Sequence, residues 1–204
     1  MAYPDVTTAQ PPRYDGLSIA LHWLTATLVA TLYALGELWD LAGRRTPLNA
    51  NMKSVHISLG ILLAAVLLAR LAWRAMRAAP TEVAMPAWMR LAARATHWAL
   101  YALLLVAIPL GLTAAWGRTT PVAFFGLFTI PAPFTLARGT ARSARELHEL
   151  AANAIMAVAA LHAFAALWHH YALRDNVLRQ MLPSRLLART PPDSGLQERS
   201  GTKA

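Results

Sequence analysis

Four apolar runs, each closed by basic or turn-forming residues, divide the chain. They cover about 17–39, 55–74, 95–116 and 147–173. The first has no Lys, Arg or Asp, and its one acid, Glu37, stands near its end. The second is interrupted within its apolar stretch only by Arg70, and the third holds His97 as its one ionisable group. The fourth carries Glu149 and four histidines in a background of Ala, Leu and Phe. Each run is long enough, as a helix, to cross about 30 Å of hydrocarbon. The first is too long for a signal peptide and lacks a small-residue cleavage site after it, so it reads as a retained span. Short connections between neighbours predict an all-α integral membrane protein, an antiparallel four-helix transmembrane bundle.

The remaining segments are polar or punctuated. Residues 1–14 read as a cytoplasmic tail, 15–183 as the bundle, and 184–204 as a cytoplasmic, disordered tail. The link before the third span contains Pro80 and Pro86, which predict irregular chain followed by an interfacial segment around Ala87 to Leu91. The outer connection, from Gly117 to Ala144, places Phe124 to Phe128 at the membrane surface.

Composition agrees: 56% of residues are hydrophobic and 14% charged, with a mean hydropathy of +0.37. A formal charge of +9 would suggest nucleic acid in a soluble protein. Here the basic residues lie mostly between apolar runs, where they set topology, and nucleic acid is set aside as a partner. Twelve of the 19 Lys and Arg lie on the side of the two termini, which predicts both termini in the cytoplasm. All seven tryptophans fall near a span end or in a short connection beside one, as interfacial aromatics do. Without cysteine, disulfides, thiolate-held clusters and covalent haem attachment are excluded.

Ionisable side chains at membrane depth are costly and are kept for ligands, protons or partners. His148 and His162 are fourteen residues apart, as are His56 and Arg70. On a helix that interval returns to nearly the same face about 21 Å along the axis. With spans alternating in direction, His22 and His162 share an inner level, and His56 and His148 an outer one. A single buried histidine is as readily a hydrogen-bonded packing residue, but four at matched depths would each need a partner in hydrocarbon. Zinc would want three or four ligands at one point, whereas these fall into two pairs. Facing neutral imidazoles suit a six-coordinate haem iron, so the pattern predicts two haems per chain, with His22, His56, His148 and His162 as axial ligands. Arg70, on the His56 face at the inner level, is placed to pair with a propionate, and Arg74 one turn on could do the same. His97 fits either a propionate contact or ordinary interfacial placement. His169 and His170 end the fourth span, where a quinone carbonyl would find a hydrogen-bond donor; a snorkelling interfacial role suits them equally.

The strings Ile19 to Trp23, Val55 to Gly60, Ala69 to Leu71, Leu147 to Glu149 and Leu161 to His162, closing on His169-His170-Tyr171, resemble the bacterial cytochrome b561 family. The likeness spans about Tyr14 to Pro183 and preserves the order and spacing of all four histidines. It implies two non-covalent b-type haems, electron exchange with ubiquinone, and, in the family's best-defined enzymatic role, oxidation of superoxide at the outer face. The outer segments carry seven basic against four acidic residues, a field that attracts a small anion. The same resemblance allows a different class of role: membrane anchor and electron relay for a periplasmic redox protein, dehydrogenase or hydrogenase. A metal-handling or purely structural bundle is the third alternative.

Overall fold

The computed structural model describes residues 13–43, 46–77, 85–117, 122–132 and 136–183. Residues 1–12 of the expected N-terminal tail, the expected C-terminal tail at 184–204, the link at Pro80 and the loop cations Arg44, Arg45 and Arg118 lie outside them. Four long helices carry the fold: α1 (Gly16–Leu38), α2 (Pro47–Met76), α3 (Ala87–Trp116) and α4 (Arg138–Tyr171). All four are long and apolar enough to cross a membrane. Between α3 and α4 stands a hairpin of β1 (Val122–Phe124) and β2 (Phe128–Ile130), paired antiparallel. A 3-10 turn, Leu178–Met181, follows α4.

α1 and α2 start where a capping side chain supplies their orphan amides with an acceptor. The Asp15 carboxylate accepts from the N–H groups of Leu17 and Ser18 at 3.1 and 3.0 Å. Thr46 caps α2 from its hydroxyl, with Pro47 in the first turn. Three helices overrun the apolar runs at their starts. α2 begins at Pro47 and α4 at Arg138, where Arg142–Glu146 and Arg145–Glu149 pairs one turn apart brace the polar end. α3 begins at Ala87 and absorbs the stretch expected to lie at the interface. Hydropathy marks the hydrocarbon-embedded part; capping and i,i+4 pairing extend the helix beyond it.

α1 packs chiefly on α2, and α4 on α3. The shared core joins Leu28 and Leu32, Leu63, Val66 and Leu67, Tyr101, Leu104 and Ala107, and Ala151 and Ile155. Large apolar side chains such as Leu68, Val106, Leu150, Leu161 and Phe164 remain exposed, as lipid-facing positions do. The two ends differ. At one, Arg13 donates to the Leu182 carbonyl and Trp23 Nε1 to that of Met181 at 2.8 Å, so the described ends of the chain lie together. At the other stands the hairpin, fastened by Ser58: its fully buried hydroxyl accepts from Phe125 N–H at 2.8 Å and lies 3.2 Å from the Ala123 carbonyl. Phe125 and Gly126 turn the hairpin with φ of 47° and 75°, a conformation glycine adopts at no steric cost. An all-α reading misses this hairpin, because strands of three residues are too short to leave a period in the sequence.

Candidate functional site: two histidine pairs

At the hairpin end, α2 and α4 bring His56 and His148 together, ring centroids 6.2 Å apart and planes at 81°. At the terminal end, α1 and α4 do the same for His22 and His162, at 6.3 Å and 71°. All four are half-buried. A metal–imidazole bond of about 2 Å, plus about 1.1 Å from ring nitrogen to centroid, puts two trans imidazoles about 6.2 Å apart. Both pairs stand at that spacing. Among the described residues, no group of three or more His, Asp or Glu could hold a bare metal ion.

The hairpin-end pair is shaped by backbone. His148 Nδ1 lies 2.8 Å from the Ala107 carbonyl; a carbonyl only accepts, so Nδ1 carries the proton and Nε2 keeps its lone pair. The buried Nδ1 of His56 has no well-formed hydrogen bond, with the backbone of Leu32 alongside. The Trp39 ring meets His56 edge-on at 5.1 Å. Around the pair opens a cavity of about 610 Å³ lined from all four helices, with Gly36, Gly60 and Gly111 in its wall. A Cβ on Gly111 would stand 2.9 Å from His148 Cε1, and one on Gly36 would stand 3.8 Å from His56 Cε1. Of these, Gly111 is the one whose missing side chain leaves room for a ring, that of His148.

The terminal-end pair is shaped by side chains. Arg70 Nη2 donates to His22 Nδ1 at 3.0 Å, and its guanidinium stands 5.3 Å over the Tyr101 ring. Arg70 and Tyr101 line a cavity of about 200 Å³ together with Tyr14, Trp73, Arg74 and Arg77. His97 of α3 meets His162 edge-on, centroids 5.1 Å apart. Sequence reading left His97 unassigned because α3 was expected to start near residue 95; the earlier start places it three turns into the helix.

His169 is turned to the chain beyond α4, its Nδ1 2.5 Å from Asp175 Oδ2. His170 packs edge-on against Tyr171. Neither makes a ring contact or hydrogen bond with the His22–His162 pair.

Four helices long and apolar enough to cross a membrane, with a pair of imidazoles near each end, are the architecture of the membrane b cytochromes. The chain belongs to the prokaryotic cytochrome b561 family, which it matches over residues 13–184. It is 36% identical to cytochrome b561 homolog 2 of Escherichia coli over 176 residues, 86% of this chain and 94% of the relative. It is 33% identical to the probable superoxide oxidase CybB of Yersinia pestis, across 85% and 97% of the two chains. Cytochrome b562 of Cereibacter sphaeroides is 32% identical across 86% and 99%. Membership makes this a multi-pass inner-membrane protein of b-type haem and electron transfer.

Proposed function

We propose that the chain is a superoxide:ubiquinone oxidoreductase with two b-type haems, one between His56 and His148 and one between His22 and His162. Each haem would supply a reversible one-electron couple. The observation that carries this reading is the equal, iron-sized opening of two histidine pairs at opposite depths.

The chain's own residues divide the remaining work. For His22 to offer an Nε2 lone pair, its Nδ1 must carry the proton, and Arg70 must then donate elsewhere. A propionate at the His22–His162 level is the acceptor its planar fork fits, with Arg74 beside it. With the termini in the cytoplasm, the hairpin end faces the periplasm. There the net positive charge of the connecting segments draws in superoxide, the substrate for which the Yersinia relative is named. His169, oriented by Asp175, and His170 stand at the cytoplasmic end, where a ubiquinone carbonyl needs a donor.

A second reading, relay for a periplasmic dehydrogenase, hydrogenase or other redox protein, draws support from the exposed hairpin tip. Phe125, Leu127 and Phe128 there are 45, 78 and 56% exposed, an apolar contact for a soluble partner. Stopped-flow mixing of the purified chain with superoxide decides between them. The first reading expects rapid haem reduction and, with ubiquinone added, reoxidation with quinol formation. Absence of superoxide-driven reduction, together with co-purification of a soluble redox protein, would move the assignment to the second.

A further inference from the structure

We infer that His97 positions His162 and sets the electron affinity of the iron His162 would bind, by accepting that ligand's Nδ1 proton. The inference rests on the His22–His162 pair being a haem site, and adds a residue that pairing alone does not identify.

A ligating imidazole that gives its metal Nε2 needs an acceptor for Nδ1–H; that acceptor fixes the ring and raises its basicity. α4 supplies one ligand to each site, and α3 is the helix that packs most closely along it. For His148 the acceptor is the Ala107 carbonyl of α3, at 2.8 Å. Ten residues back along α3, about 15 Å toward the terminal end, stands His97, edge-on to His162 at 5.1 Å with planes at 64°. Two imidazoles joined by one N–H···N bond of about 2.9 Å, each nitrogen about 1.1 Å from its centroid, lie about 5.1 Å apart. That is too close for an iron between them; the two rings are in contact, and a turn of either would close the hydrogen bond that the contact does not itself make. His97 is therefore beside His162, not opposite it. α3 contributes no axial ligand, yet it backs both ligands of α4, one with a carbonyl and the other with an imidazole. The carbonyl belongs to the main chain; the imidazole can be changed.

The test compares His97→Phe, which keeps a flat ring without an acceptor, with His97→Gln, which keeps an acceptor, both in the full haem-loaded chain. Redox potentiometry and low-temperature EPR of the ferric signals resolve the two haems, and the His56–His148 haem serves as internal reference. In the Phe variant, retention of the ferric form at the His22–His162 site should fall about tenfold, raising that potential by about 59 mV. Its EPR signal should shift, the reference haem should stay fixed, and Gln should recover most of the change. Loss of one haem in Phe but not in Gln carries the same conclusion. An unchanged potential and EPR signal with both haems present, an equal shift of both haems, or equal defects in Phe and Gln would overturn the role of His97. Fewer than two haems in the unsubstituted chain would instead overturn the pairing beneath it.

Discussion

The two histidine pairs share a spacing and differ in what stands behind them. At the hairpin end the one hydrogen-bonded support is main chain, the Ala107 carbonyl on His148, with the Trp39 ring against His56 and Gly111 where a Cβ would crowd the His148 ring. At the terminal end the supports are side chains: Arg70 on His22 and His97 against His162. A site framed by backbone responds to steric change and little to charge. A site framed by an arginine and an imidazole is tuned by charge and hydrogen bonding. With a haem held there, the positive charge of Arg70 would favour its reduced, electron-holding form. Under the proposed function this draws electrons inward from the hairpin side.

Steric change at the hairpin end is the largest way to break this contrast. Gly111→Ala sets a methyl 2.9 Å from a His148 ring held by Ala107. Haem retention at that site should fall by roughly 10- to 100-fold, read as loss of close to half the haem per chain by pyridine haemochrome. Gly36→Ala, whose methyl meets His56 at an ordinary 3.8 Å, should retain nearly all of it. Equal losses would mean that crowding of His148 is not what matters.

Charge removal at the other end should come next. Arg70→Gln should lower the potential of the His22–His162 haem by about 59 mV, a tenfold change for one electron, and leave the other haem in place. Redox titration checks this, and a shift confined to the His56–His148 haem would reverse the assignment of charge to the terminal end.

A smaller effect tests whether the hairpin matters to the site it adjoins. Ser58→Ala leaves the part-buried Phe125 N–H without its acceptor, at a cost of about 1 kcal/mol. Thermal unfolding should move down by a few degrees with haem content unchanged. A loss of haem would make the hairpin part of the site.

The smallest effect belongs to the helix cap at the terminal end. Hydrogen bonds from Ser18, side chain and then backbone, with a further one from Trp73, hold the exposed Asp15 carboxyl at about 2, below its ordinary 3.8. Because the folded value is the lower one, the stabilisation is full above about pH 4 and disappears as pH falls toward 2. Asp15→Asn, which keeps an oxygen cap without the charge, should remove that acid-dependent part in a comparison of unfolding between pH 5 and 2.

The four spans and both histidine pairs were readable because helical geometry converts intervals of fourteen residues into depth, and hydrocarbon makes every ionisable group conspicuous. The supports at the hairpin end were not readable. The Ala107 carbonyl has no side-chain signature, and Gly111 resembles any glycine of an apolar helix until His148 is seen against it. His97 was visible as a residue but not as a neighbour of His162, since its role depends on the true start of α3. The hairpin was hidden for a related reason: its anchor, Ser58, sits inside an apolar helix two residues from His56 and bonds to a strand 65 residues further on.

Haem content of the purified chain beside that of His148→Ala, measured by pyridine haemochrome against protein concentration, tests the central claim most directly. Two haems falling to one, with the remaining b-type spectrum intact, is the predicted result. A single haem in the unsubstituted chain, or loss of both from the one substitution, would contradict two separate histidine-held sites.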